Sequence, residues 1–267
     1  MYKLLLLDID GTLRPQGHST VPPENVCAVN AAQKAGVKIA IATGRGRANV
    51  PKELLRGIRP DYWLCAGGAQ VLDAAGTELA TVRMTTEQMY ALVDFFEDYD
   101  YPLRFIFSDR SYAYVEYAEF ERRDRALQLH NNIADGEDQD RHLTDMPFTA
   151  FGFLPPAAAE RFRQKYGYLG LRFLYSSVDG CDILPPGVDK ASGMAALLNA
   201  AGLRAADCVA VGDGDNDAEM LRAAGLGVAM ATGNENATAA ADRTCGSVAS
   251  LCAELFGAGE TAGAGSV

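Results

Sequence analysis

The sequence predicts an α/β protein, a doubly wound parallel sheet carrying an inserted α+β unit. Three observations predict it. The chain opens with four consecutive leucines, Leu4 to Leu7, that run into Asp8-Ile9-Asp10-Gly11-Thr12. An unbroken apolar run of this kind reads as a strand buried on both faces, as in parallel sheets covered by helices. Strand and helix patterns then alternate as far as Gly68 and again beyond Gly187, as they do when crossovers join parallel strands. Between these stretches, from about Arg83 to Pro185, strand-like runs pair up and helices stand apart from them.

In chain order, Asp8 and Asp10 close the first strand and Gly11 turns the chain. A polar loop runs from Arg14 to Pro23, and Pro22 or Pro23 starts a helix that Glu24 to Ala35 continues and Gly36 stops. Val37 to Ala42 is a second strand ending at Thr43-Gly44-Arg45. A helix is expected over roughly Ala48 to Leu55. Asp61 to Cys65 is a third strand ending in Gly67-Gly68, and Val71 to Asp73 with Thr77 to Val82 form a hairpin. In the insert, helices are expected over Thr86 to Tyr99 and Ala157 to Tyr166, and a charged helix or loop over Glu119 to Asn132. Strands are expected at Leu103 to Phe107, Tyr112 to Glu116, Phe148 to Leu154, Leu171 to Tyr175 and Cys181 to Leu184. The acidic run Ala134 to Asp140 reads as an exposed loop. The parallel pattern resumes with a helix at Lys190 to Ala201, a strand at Cys208 to Val211, a helix at Ala218 to Ala224 and a strand at Gly227 to Met230. The Gly- and Ala-rich end, 257–267, is expected to be a flexible tail.

Composition narrows the function. Hydrophobic residues make up 48% of the 267, enough for a proper core, and the net charge of −11 speaks against nucleic acid or an anionic membrane as partners. Asp8 and Asp10 interrupt the leucine run too early for a signal peptide, and no run approaches the ~18 apolar residues of a membrane span. Six scattered cysteines without a C-x-x-C pair suit buried, reduced thiols in a cytoplasmic protein. His18, His130 and His142 have no metal-site spacing.

The chemistry-bearing residues sit at strand ends. Asp8/Asp10, Thr43, Gly67/Gly68 and Asp213 to Asp217 converge on one edge of a parallel sheet, where α/β sheets bind ligands, and Lys190 opens a helix near the same edge. Paired carboxylates favour a bound cation. Together the group offers a nucleophile, an acid/base, a hydroxyl, an ammonium and a metal-holding carboxylate, the parts for phosphoryl transfer through an aspartyl phosphate. Plainer readings exist. Thr43 fits a helix N-cap, Lys190 a solvated helix residue, Arg45 either a substrate contact or the partner of an acid, and Asp215 a solvent-facing residue. The aromatics Phe95, Phe96, Phe105, Phe107, Tyr112 and Tyr114 fit the core of the insert. Asp213-Gly214-Asp215-Asn216-Asp217 begins like a calcium loop. That loop needs Gly at its sixth position and Glu at its twelfth, where Ala218 and Ala224 stand.

These stretches resemble the four ordered motifs of haloacid dehalogenase-like phosphatases: Asp8-Ile9-Asp10-Gly11-Thr12, Thr43-Gly44-Arg45, Lys190, and Gly212-Asp213-Gly214-Asp215-Asn216-Asp217. The insert resembles the type IIB cap of the Cof-like branch. The resemblance implies a Rossmann-like core over 1–82 and 186–256 and a substrate-selecting α+β cap over 83–185. It implies Asp8 as nucleophile, Asp10 as acid and then base, and Thr43 and Lys190 holding the phosphoryl oxygens. Magnesium would be bound by Asp8, the Asp10 carbonyl and Asp213, with Asp217 or Asn216 supporting that shell. Gly11, Gly44, Arg45 and Asn216 complete the phosphate site. The chain departs from the family pattern at Gly67, Thr232 and Thr238, all near the expected substrate.

The expected function is therefore a magnesium-dependent phosphatase of small phosphorylated metabolites, sugar phosphates first, acting as a monomer or homodimer. The alternatives are a phosphotransferase or phosphomutase on the same scaffold and a non-catalytic regulatory binding protein. Connections near Val82 to Thr85 and Pro185 to Val188 would form a hinge for closure.

Overall fold

The structure, a computed structural model, describes residues 2–127, 132–175 and 177–257. The expected tail beyond Gly257 and His130 lie outside the described residues.

Eight strands form one sheet. They are β1 (Leu4–Asp8), β2 (Lys38–Ala42), β3 (Tyr62–Cys65), β4 (Gln70–Asp73), β5 (Glu78–Thr81) and, after the insert, β12 (Cys208–Gly212), β13 (Leu226–Met230) and β14 (Arg243–Cys245). Their order is β14-β13-β12-β1-β2-β3-β4-β5. All neighbours from β14 to β3 are parallel, and β4 and β5 add an antiparallel hairpin at the edge. The first strand lies inside the sheet, and the chain order runs outward from it on both sides. The crevice beside its carboxyl end is thus a switch point, where such sheets bind ligands.

The leucine run explains this central place. Leu5 and Leu7 enter one core with Val29 and Ala32 of α1 (Pro23–Lys34) and Leu251 of α9 (Val248–Phe256). Leu4 and Leu6 enter the opposite core with Met194 and Leu197 of α6 (Lys190–Ala201), Met220 of α7 (Ala218–Ala223) and Ala237 of α8 (Glu235–Ala240). Alternate side chains point to opposite faces of a strand, so only a run apolar at every position fills both layers. Burying each such leucine contributes about 1.5–3 kcal/mol.

The insert holds a six-stranded sheet in the order β10-β11-β9-β6-β7-β8. Its strands are β6 (Leu103–Ile106), β7 (Ser111–Val115), β8 (Ile133–Asp135), β9 (Thr149–Phe153), β10 (Arg172–Tyr175) and β11 (Gly180–Leu184). Helices α3 (Thr86–Glu97) and α5 (Pro156–Tyr166) pack on one face through Met89, Leu92, Phe96, Ala158 and Phe162. Phe95, Phe96, Phe105, Phe107 and Tyr114 are buried in that core, as their spacing suggests, and Tyr112 packs against it half-buried.

Two expectations need correction. The helix expected over roughly Ala48 to Leu55 is a single turn at Arg47–Asn49 followed by the short α2 (Lys52–Leu55). Pro51 divides them: it has no N–H to give, and it forces Val50 out of the helical region, to φ −107 and ψ 93. The acidic loop expected at Ala134 to Asp140 begins with β8, which pairs in parallel with β7. Three residues are too few for periodicity to register, and this strand exists through its partner. The charged segment after Glu116 is helix α4 (Tyr117–Leu127). Among the described residues, β14, α8 and α9 have no counterpart in the elements expected from the sequence. Asn234 and Ser247 cap the two helices and were the available signal.

Candidate active site

The register of the central strands brings the predicted groups together. Asp8 pairs with Ala42 across β1 and β2, so Thr43 leaves the sheet beside it. Leu7 pairs with Val211 of β12, so Asp213 emerges on the other side. Gly68 then lets the loop after β3 approach the start of α6: it has φ +101, and a Cβ there would stand 2.1 Å from the Asp189 carbonyl oxygen. Asp189 caps α6 by accepting from the Ser192 amide. Helix α6 thus starts against the sheet edge, with its first residue directed into the site.

That first residue is Lys190, 1% exposed. Its Nζ donates to Asp8 Oδ1 at 2.6 Å and to Asp217 Oδ1 at 2.6 Å. A solvated helix lysine is thereby ruled out. Asp217 Oδ2 accepts from the Asp213 and Gly214 amides at 3.0 Å each, so this carboxylate ties the loop to the lysine. Asp213 Oδ1 accepts from Thr12 Oγ1 at 2.8 Å. Gly11, at φ +94, lies so near that a Cβ would stand 2.1 Å from Asp213 Oδ2. The Gly11-Thr12 pair thus supplies both the turn and the hydroxyl that orients Asp213.

Asp10 stands apart from this buried group. Its carboxylate accepts from Arg45 Nε at 2.7 Å and Nη2 at 3.1 Å, and Arg14 pairs with it from the other side. Arg45 thus pairs with an acid and lines the cleft as well. Thr43 is 2% exposed, and its Oγ1 accepts from the Arg45 amide at 3.1 Å. It does not cap α2, whose cap position is Pro51. Asp215 is exposed as expected, yet its Oδ1 accepts from Asn234 Nδ2 at 2.6 Å and Asn236 Nδ2 at 2.8 Å.

Electrostatics divide the carboxylates. Burial pushes Asp8 well above its ordinary range; Lys190 opposes this, and Asp217 and Asp10 add to it. Burial likewise raises Asp213 against the Thr12 hydrogen bond. Burial would also raise Asp10, but Arg45 and Arg14 outweigh it and hold that carboxyl low. Lys190 is raised, because Asp217 and Asp8 outweigh its own burial.

Asp8, Asp213 and Asp217 each bring a carboxylate oxygen within 4.8 Å of the others. An all-oxygen set of mutually repelling carboxylates, two buried and Asp213 half-buried, fits a hard divalent cation, and a bound cation would reverse the upward pull on Asp8 and Asp213. The Asp10 side chain is outside this cluster.

The site opens into a cleft of about 720 Å3 between the two sheets. Asp8, Asp10, Thr43, Gly44, Arg45, Asp213 and Asn216 line one wall, with Thr232 of the loop after β13 beside them. Gly67 sits in the turn at Ala66–Gly68 below, and Thr238 is exposed on α8. The insert supplies the facing wall, including Arg104, Phe151 and Asp182. Asp182 Oδ2 would lie 3.4 Å from a Cβ on Gly44, so the insert reaches the Thr43-Gly44-Arg45 loop itself. Burial pushes Asp182 up to about 6, against Arg104 and Lys190. Arg14, the role of Thr12 and this second wall are site features not expected from the sequence. For the wall the signal was present: a charged residue between two apolar ones in a strand marks its outward face.

Comparison with known proteins identifies the family and the fold. Residues 5–250 match the haloacid dehalogenase-like hydrolase family. An HMP-PP phosphatase of Yersinia pseudotuberculosis is 27% identical over 249 residues, covering 86% of this chain and 84% of the relative. A phosphatase of the same superfamily from Bacteroides thetaiotaomicron shares the fold at a TM-score of 0.83 and 22% identity, covering 96% of this chain and 94% of that one. A subclass IIB sugar phosphatase does so at 0.79 and 22%, covering 93% and 95%. Among the described residues no helix is long and apolar enough to cross a membrane.

Proposed function

The chain belongs to the haloacid dehalogenase-like hydrolases, and from that premise we propose that it is a phosphatase of small phosphorylated metabolites acting through an aspartyl phosphate on Asp8. The observation that carries the reading is buried Lys190 held between Asp217 and Asp8, a residue of the cleft wall, with Asp213 and Asp10 on the same wall. Asp8 and Asp213 would hold magnesium, with the Asp10 carbonyl as a third donor and Asp217 or Asn216 behind them. Bound there, the ion neutralises phosphoryl charge and keeps Asp8 ionised.

The steps follow from the residues. An Asp8 oxygen attacks phosphorus as the bond to the leaving oxygen breaks, and Asp10 gives that oxygen a proton. Water then attacks the aspartyl phosphate, Asp10 takes its proton, and Asp8 and inorganic phosphate are released. Lys190 and Thr43 stabilise the equatorial oxygens, with Gly11, Gly44 and Arg45 shaping the pocket around them.

The substrate class rests on the two-walled cleft. Residues 83–185 act as a cap over the catalytic core of 1–82 and 186–256, excluding water and bulky partners. Sugar phosphates are the leading candidates. Nucleic acid and membranes are not partners, in keeping with the net charge of −11. The six free thiols support a cytoplasmic setting. The test is phosphate release from a broad panel of phosphorylated metabolites, with and without magnesium. Faster hydrolysis, by kcat/KM, of phosphopeptides or phosphorylated nucleic-acid ends than of every small metabolite would sink the substrate class.

A further inference from the structure

The sheet of the insert turns one face to its own core and the other to the cleft. Cross-strand partners share a face. Phe105, Ala150 and Ile183 stand in register and are buried in the insert core. One residue along, the row is Arg104, Phe151, Asp182 and Leu174, and all four line the cleft that holds Asp8 and Asp10.

Arg104 is the unusual member. Its Cζ lies 4.7 Å from the centre of the Phe151 ring and 5.5 Å from that of Phe120 on α4. Cation–π contacts hold the guanidinium between two rings but satisfy none of its donors. Its Nε is buried without a hydrogen-bond partner. The other arginines lining the cleft are spoken for: Arg123 pairs with Glu119 at 2.7 Å and Asp179 at 3.0 Å, and Arg45 with Asp10; Lys190, buried behind the wall, is held by Asp8 and Asp217. Burial lowers the Arg104 guanidinium to about 10, with Asp182 and Asp124 opposing, so it is cationic at neutral pH. A buried donor left over on a cavity wall calls for an explanation beyond the fold.

We propose that Arg104 binds a second oxyanion on the leaving group, so that the preferred substrates are small phosphomonoesters that also carry a carboxylate or another phosphate. The proposal rests on the phosphatase reading and narrows it. A guanidinium takes carboxylate and phosphate with the same planar fork of donors. At about 720 Å3 the cleft has room for a metabolite that reaches from Asp8 to the facing wall.

The experiment compares matched substrates: a hexose monophosphate, the phosphohexonate and the hexose bisphosphate, with p-nitrophenyl phosphate as the control. Wild-type protein should show higher kcat/KM on the phosphohexonate or the bisphosphate than on the monophosphate. Arg104→Met should lower that value about tenfold or more, chiefly through KM, the loss expected for a charged two-donor contact. The monophosphate and the control should change by less than about threefold, and Arg104→Lys should fall between. Titration calorimetry on Asp8→Asn protein should give the same ranking without turnover. A flat wild-type ranking overturns the proposal, as does an equal loss on all substrates, which is what a purely structural Arg104 would produce. The wild-type ranking needs no variant, so it decides even if Arg104→Met fails to fold. An Arg104-dependent binding ranking without hydrolysis of any ester would uphold this proposal and refute the phosphatase reading.

Discussion

Lys190 Nζ and Asp8 Oδ1 meet at 2.6 Å although 182 positions separate them in the chain. Both are buried, and Asp217 Oδ1 completes the group at 2.6 Å from the same ammonium. Two carboxylates thus depend on one cation, in a place where water cannot screen them.

Lys190→Met should therefore cost more than a contact. Removing one partner of a buried ion pair leaves uncompensated charge and costs about 3–5 kcal/mol. The sign with pH follows. Burial already pushes Asp8 above its ordinary range, and without Lys190 it rises further. A raised carboxyl destabilises the fold above its unfolded value and ceases to do so once it is protonated. The melting-temperature gap between wild type and variant should narrow as pH falls from neutral toward 4. A gap independent of pH would show that the lysine acts through packing alone. In the wild type the raised Lys190 keeps its contribution at neutral pH and loses it only in the alkaline range, as pH climbs through its folded value.

Asp8→Asn should abolish steady-state turnover while leaving the circular dichroism spectrum unchanged, because the amide is nearly isosteric. Magnesium affinity should fall as well. Sustained turnover in that variant, with deamidation excluded by mass spectrometry, is incompatible with a covalent intermediate on Asp8.

Asp10 is held low by Arg45 and Arg14, although its burial pulls the other way. Arg45→Met should raise this carboxyl, keep its acid form populated to higher pH and move the alkaline limb of the kcat profile upward. Asp10→Asn should slow turnover by about 10²–10⁴, less for aryl phosphates than for sugar phosphates, since good leaving groups need less protonation. Equal losses on the two classes would argue against the acid role.

The carboxylate cluster of Asp8, Asp213 and Asp217 leads to a metal prediction. EDTA should silence phosphate release and magnesium should restore it. Calcium should not, because its looser, higher coordination misplaces an in-line attack. Full activity in calcium would remove magnesium from the reading. Thermal shift supplies a readout free of turnover: magnesium should raise the melting temperature of wild type more than that of Asp213→Asn.

By itself the sequence determined the doubly wound sheet and the ordered groups at its edge. Leu4 to Leu7 is apolar at every position, so it belongs between two helical layers, and Asp8, Thr43 and Asp213 end strands that a parallel sheet must align. Those are local patterns with one physical solution. Only the tertiary structure decided which charges meet. Taken alone, its helix position favours a solvated Lys190; it is buried because Gly68 lets α6 approach the sheet edge, where Asp8 and Asp217 offset the desolvation of its ammonium. Arg45 could have faced substrate or acid, and the turn after β2 sets it against Asp10. The assembly of the second wall was beyond local reading for the same reason. Alternation within β6 and β11 marks Arg104 and Asp182 as outward-facing, but the register that makes Arg104, Phe151 and Asp182 neighbours on three separate strands is not written within any one of them.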